Sequence, residues 1–169
     1  KPVLDKLFIF LITCKNMGLN IREIIPRKEI EISDLKGKIL CVDAFNTLYQ
    51  FLSTIRQPDG TPLMDRKKRV TSHLSGIFYR NTALIEQGIK LVYVFDGKPP
   101  ELKYHTFERR EEGREVAKEK YESARQEENL EGMKRYGSQL IRLNEEMIKE
   151  SKELLRAMGI GVVQAPSEG

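Results

Sequence analysis

Three acidic residues stand where a chain could use them for metal chemistry. Asp43 closes the apolar run Ile39-Leu40-Cys41-Val42, and Asp96 closes Leu91-Val92-Tyr93-Val94-Phe95. Glu168 follows Ile160-Gly161-Val162-Val163 through Gln164-Ala165-Pro166-Ser167. Short apolar runs rich in β-branched and aromatic residues read as buried strands of a parallel sheet. A carboxylate at the carboxyl end of such a strand lies in the crevice where open α/β sheets bind ligands. For a single Asp before Gly97, Pro99 and Pro100, the plain alternative is a turn cap. Three acids brought to one sheet edge would repel one another unless a cation lay among them. Asp43, Asp96 and Glu168 are therefore candidate metal ligands, and hard carboxylate oxygens suit Mg²⁺. Metal ions so held can present a phosphodiester for in-line attack by water. Three acids are a thin shell for two divalent ions, so either one ion binds here or further acids lie beyond Gly169.

The elements that must place these acids emerge from the pattern between them. A helix from about Ala44 to Ile55 repeats Phe45, Leu48, Leu52 and Ile55 on one face, and Tyr49 could face either core or ligand. Gln57-Pro58-Asp59-Gly60-Thr61-Pro62 is turn chemistry. The run Arg66-Lys67-Lys68-Arg69 reads as a solvated loop, with a phosphate contact or localisation signal as alternatives. Thr71 or Ser72 can cap a second helix that carries Leu74, Ile77, Phe78 and Ile85 and stops at Gly88. Helix, glycine stop and strand make a crossover unit with the first strand. From Glu101 to about Glu131 the chain is charge-dense and poor in large apolar residues, a helix polar nearly all round and held outside the core. Residues 133–158 regain a stripe of Tyr136, Leu140, Leu143, Met147, Leu154 and Met158, which predicts one long helix packed on the sheet before the third strand.

With 169 residues, 40% hydrophobic and 32% charged, the chain suits one ordinary domain core. Its two cysteines, Cys14 and Cys41, form no disulfide framework and show no metal spacing; Cys41 falls inside a predicted strand and reads as a small apolar residue. Such sparing cysteine use suits a reducing compartment. The net charge is +4, but it is unevenly placed: residues 1–100 hold 16 basic and 10 acidic side chains, whereas residues 101–169 hold 13 and 15. The positive field belongs to the half with Asp43 and Asp96, as a polyanion partner would require. Residues 1–16 differ in texture from the rest of the chain. Leu7 to Ile12 is too short to span a membrane, no small-residue cleavage site lies beyond it, and Met17-Gly18 looks like a natural start. The expectation is that residues 1–16 are extraneous and that the chain, ending one residue after Glu168, is truncated.

From Met17 to Gly169 the sequence resembles the N-terminal portion of a flap endonuclease of the archaeal and eukaryotic type. The resemblance rests on Val42-Asp43-Ala44 with Tyr49-Gln50-Phe51 and Arg56-Gln57, on Thr71-Ser72-His73-Leu74 with Phe78-Tyr79-Arg80, on Val92-Tyr93-Val94-Phe95-Asp96-Gly97-Lys98-Pro99-Pro100, and on Ala165-Pro166-Ser167-Glu168. It implies a three-layer, PIN-like α/β domain whose mostly parallel sheet is flanked by helices. It also implies a helical arch over about 101–131, between strands two and three, and a magnesium-dependent nuclease, with Mn²⁺ as a substitute. Such an enzyme cuts branched or 5′-flap DNA, with exonuclease action beside it, in replication and repair. Asp43, Asp96 and Glu168 match the metal-binding acids. Lys103 and Arg110 match basic residues that steady the scissile phosphate, although on spacing alone they read as an exposed charged face. Gly18 matches a processed N-terminal residue near the site, Tyr49 a residue that stacks on a base, and Arg56 and Arg80 DNA-contacting arginines. The resemblance further implies a monomer with no membrane association, cytoplasmic and nucleoid-associated in an archaeon or nuclear in a eukaryote. The family's next Glu, its later Asp ligands, its potassium-associated helical clamp and its sliding-clamp peptide have no counterpart within the 169 residues.

A second reading is a non-catalytic half-module that binds DNA weakly or assembles with a missing half. An aspartyl-phosphate phosphatase would need a second Asp two residues after the first, and Asp43 is followed by Ala44 and Phe45.

Overall fold

Three parallel strands, β1 (Ile39–Asp43), β2 (Lys90–Phe95) and β3 (Gly161–Gln164), form a sheet in the order β1-β2-β3. The computed structural model describes residues 30–58, 60–97, 104–140 and 142–167, except for the side chains of 104–111, 134 and 138. Helices α1 (Ala44–Thr54) and α2 (Ser72–Glu86) connect β1 to β2; α3 (Tyr104–Gln126), α4 (Leu130–Gly137) and α5 (Glu145–Ala157) connect β2 to β3. Parallel neighbours require such crossovers, because a tight turn cannot reverse the chain twice.

Register fixes which residues share a sheet face. Val42 lies opposite Tyr93, and Tyr93 opposite Val162, so Leu91, Tyr93 and Phe95 head one face. That face is the core. The Phe45 ring of α1 meets Phe95 edge-on at 5.9 Å, and the Tyr93 hydroxyl donates to Asn81 of α2 at 2.9 Å. Leu48, Ile77, Phe95 and Leu155 are fully enclosed there. The other face carries Ile39, Cys41, Val92, Val94 and Val163. Ile39 is 64% and Val163 48% exposed, and Cys41 is also exposed. The expectation of buried strands is thus corrected to burial on one face for the described residues, and so is the reading of Cys41 as a small apolar residue inside a buried strand. Odd-numbered β2 residues are enclosed by helices, and the alternate ones are only half-covered.

Helix α2 departs from its apolar reading in a similar way. Its inward stripe is His73, Ile77, Asn81 and Leu84, at helical spacing. Phe78 and Ile85 point outward, 47% and 42% exposed. Two polar residues occupy core positions, so apolar periodicity selected the wrong partners for Ile77. Gly76 lies flush on the Phe51 ring, where any Cβ would overlap it. Neither Thr71 nor Ser72 caps this helix through its side chain. Ser72 instead donates to the Ile55 carbonyl at 2.7 Å and accepts from the Leu63 amide at 2.9 Å, which closes the loop between α1 and α2. Helix α2 stops before Gly88, at φ +78°, as the glycine predicts.

The segment between β2 and β3 is an αα-hairpin and then a separate helix. Helix α3 packs on α4 at buried Ala124, where Gly132 allows the close approach: a Cβ there would lie 2.8 Å from that of Ala124. Asn129 accepts from the Gly132 amide at 2.9 Å and starts α4 after the turn. The predicted boundary near 131 therefore falls inside α4. The predicted long helix over 133–158 is divided into α4, a 3₁₀ turn at Ser138–Leu140, and α5. The break has a local cause. Asn144 accepts from the Met147 amide at 2.8 Å and caps a new helix whose first turn carries Glu145 and Glu146, favourable at a helix N-terminus. Among the described residues, no helix is long and apolar enough to cross a membrane.

Candidate metal centre at the strand ends

Asp43 and Asp96 leave adjacent strands at the same end of the sheet. Asp43 lies opposite Val94, and Asp96 is two residues after Val94, just past the end of β2, so strand alternation puts both on one side of the pleat. Asp43 is exposed, and its Oδ1 accepts from the Asn46 amide at 2.9 Å, capping α1. The cap holds the carboxylate at the junction of strand and helix, where the helix N-terminus favours negative charge. Asp96 is half-buried where β2 ends.

The third acid, Glu168, lies outside the described residues, but the chain leading to it is placed. The Ala165 amide donates to the Phe95 carbonyl at 2.8 Å. A Cβ on Gly97 would come within 2.6 Å of the Pro166 carbonyl carbon and the Ser167 nitrogen. The β3 end thus lies directly against the Asp96-Gly97 turn and carries the chain toward Glu168. Among the described residues no group of three or more His, Cys, Asp or Glu could hold a metal. The pair Asp43 and Asp96 places hard oxygen donors on one pleat side, the donor type that a divalent metal ion takes as part of its shell.

Gly18 and Lys103 lie outside the described residues, and Arg110 is within α3 with its side chain undescribed. Tyr49 is half-buried on α1, so the choice between core and ligand stays with a ring that is partly in each environment. The two arginines are held differently. Arg80 stacks on the Phe51 ring at 5.1 Å and donates to Gln50 Oε1 at 3.1 Å; burial lowers its pKa and the nearby Tyr93 raises it. Arg56 donates to three backbone carbonyls, Ser53 at 3.2 Å, Gly60 at 2.7 Å and Gly137 at 3.1 Å. Burial lowers its pKa too, with Tyr121 of α3 acting the other way. Arg56 therefore ties the loop after α1 to the foot of the helical hairpin. Nothing in the spacing of Arg56 signalled an 81-residue contact.

The sequence pattern also gave no sign of His73, Lys152 and Gln164 as structural participants. His73 is fully enclosed, with Nε2 3.4 Å from Glu150 of α5, an electrostatic contact too long for a well-directed hydrogen bond. Burial lowers its pKa more than Glu150 raises it. Gln164, the last residue of β3, donates to the carbonyls of Phe95 and Asp96. A polar residue closing a short apolar strand was the available signal.

The XPG N-terminal domain matches residues 17–117. Flap endonuclease 1 of Pyrococcus furiosus is 58% identical over 153 residues, which cover 90% of this chain and 45% of that protein. The solved flap endonuclease-1 from Methanococcus jannaschii is similar at 42% identity with a TM-score of 0.61, over 90% of this chain and 48% of that one. The catalytic core of Rad2, solved in complex with DNA substrate, is 30% identical with a TM-score of 0.52, over 83% of this chain and 34% of that one. The chain spans about half the length of the curated relatives it matches. With the XPG N-terminal domain matching well over half of its residues, this chain belongs to that family.

Proposed function

We propose that the intact protein is a structure-specific 5′-flap endonuclease, with 5′–3′ exonuclease action, that hydrolyses phosphodiesters of branched DNA with the help of a divalent metal. The observation that carries this reading is the delivery of Asp43 and Asp96 by adjacent parallel strands to one end and one side of the sheet. The flap endonuclease 1 relatives and the DNA complex of Rad2 support the substrate class. Asp43, Asp96 and Glu168 would hold Mg²⁺, or Mn²⁺ in its place. When bound, the metal supplies a water of lowered pKa and neutralises charge developing on the phosphate.

The chain's own residues bind and orient. Lys103 and Arg110 steady the scissile phosphate in this reading, as point and fork donors. Tyr49 supplies a partly exposed ring for a base to stack on. Arg80, oriented by Phe51 and Gln50, contacts the DNA, and Gly18, outside the described residues, is a further DNA-binding residue in this reading. The excess of basic residues in the first 100 positions favours a polyanion partner.

Cleavage of a labelled 5′-flap duplex with Mg²⁺ tests this reading. The full-length protein cuts, residues 1–169 alone cut negligibly, and Asp96→Ala in the full-length protein abolishes cutting while leaving flap binding largely intact, because it removes a metal ligand and not a phosphate contact. Normal cutting by Asp96→Ala would refute the metal assignment. Absence of cutting by the full-length protein, with flap binding retained, would favour a non-catalytic DNA-binding module.

A further inference from the structure

We infer that Lys152 and Gln164 are positioning residues that set the Asp96 carboxylate for its metal before the metal arrives. This rests on the reading of Asp96 as a ligand, and it concerns two side chains that do not themselves touch metal or DNA in that reading.

Asp96 follows the last hydrogen-bonded residue of β2, where a strand end would ordinarily fray. Here it is gripped from the β3 side. Gln164 Nε2 donates to the Asp96 carbonyl at 2.8 Å and to the Phe95 carbonyl at 3.2 Å, with a longer contact to the Ala165 carbonyl at 3.4 Å. The next residue, Gly97, is pressed against the Pro166–Ser167 backbone, with no room for a side chain. The backbone on both sides of the Asp96 Cα is thereby fixed, and with it the direction in which the carboxylate leaves the chain.

The amide of Gln164 could in principle face either way. Lys152 decides. Its Nζ lies 2.8 Å from Gln164 Oε1 and 4.7 Å from the centre of the Phe95 ring. An ammonium can only donate, so Oε1 must face Lys152 and Nε2 must face the two carbonyls. The positive charge also polarises the amide and strengthens its donor end. Lys152 is carried by α5, so the helix packed against the core orients the turn that holds the acid. Side chains that orient metal ligands from behind typically matter 10–100-fold for metal affinity or activity.

The test uses the full-length protein and Mn²⁺ itself, titrated by electron paramagnetic resonance, with the Mg²⁺ dependence of flap cutting measured in parallel. Gln164→Glu keeps shape but presents an acceptor to both carbonyls. It should lower Mn²⁺ affinity about 10-fold or more and raise the Mg²⁺ needed for half-maximal cutting in step, with flap affinity in Ca²⁺ unchanged. Lys152→Met should shift both in the same direction, and Lys152→Arg should restore them. If Gln164→Glu fails to fold, Lys152→Met beside Lys152→Arg gives the same reading. Wild-type Mn²⁺ affinity in Lys152→Met, or a loss that Lys152→Arg does not restore, overturns the inference. Asp96→Ala separates the two levels: if it binds Mn²⁺ and cuts as wild type, the metal-site reading itself falls. If it is inactive while the Lys152 and Gln164 variants are normal, only the positioning role falls.

Discussion

Asp43 has two duties that a substitution can separate. Its carboxylate caps α1 through the Asn46 amide, and its position at the end of β1 makes it a metal ligand in the proposed reading. Asn is as good a cap as Asp, whereas Ala is none. Asp43→Asn should therefore abolish flap cutting with stability within about 0.5 kcal/mol of wild type, and Asp43→Ala should lose about 0.5–2 kcal/mol besides, measured by urea unfolding. Tyr93 makes a second residue-level prediction. Burial pushes its phenol up to about 12 from an ordinary 10.0, with Asn81 and Arg80 pulling the other way. The unfolded chain then ionises first. Stability held below pH 10 is lost as pH climbs toward 12, by about 3 kcal/mol at about 1.4 kcal/mol per pH unit. Tyr93→Phe should be less stable at pH 8, because Asn81 loses its partner, yet should escape the alkaline part of the decline. Parallel decline of the two proteins between pH 10 and 11.5 would contradict this.

The helices are where packing and sequence pattern part company. The apolar stripe of α1 was legible because large apolar side chains repeat at the period of the helix. In α2 the stripe includes His73 and Asn81, whose polarity hid it. In α3 the buried residues are Ala117 and Ala124, too small to stand out in a charge-dense segment, and Ala124 meets Gly132 of α4. Gly132→Val should therefore force α3 and α4 apart, at about 1–3 kcal/mol for overpacking. Hydrogen exchange should quicken along α4 while the β2 amides keep their protection. Equal loss of protection in both would show that the hairpin and sheet unfold as one unit. His73 links α2 to α5 through Glu150, and its pKa is lowered by burial. A lowered pKa means the unfolded state takes the proton first, so this stability is present above the ordinary histidine pKa of 6.5 and is lost as pH falls below it. His73→Gln should flatten the stability profile between pH 7 and 5.

For the molecule as a whole, the strands and the placement of Asp43 and Asp96 at their ends were legible because a short apolar run ending in Asp is a local signal. The hydrogen bond from Arg56 to Gly137 was not, because the fold brings that carbonyl to it from 81 residues away. Gln164 and Lys152 acquire meaning only once β2 and β3 are neighbours. The central claim is that Asp43 and Asp96 serve one cation site, and a double-mutant cycle on Mn²⁺ binding by the full-length protein tests it most directly. If the two acids share a site, Asp43→Asn and Asp96→Asn each weaken Mn²⁺ binding, and the double variant loses far less than the product of the two single losses. Single losses that multiply would show two acids contributing without the coupling of a shared centre, and wild-type Mn²⁺ affinity in either single variant would contradict that centre outright.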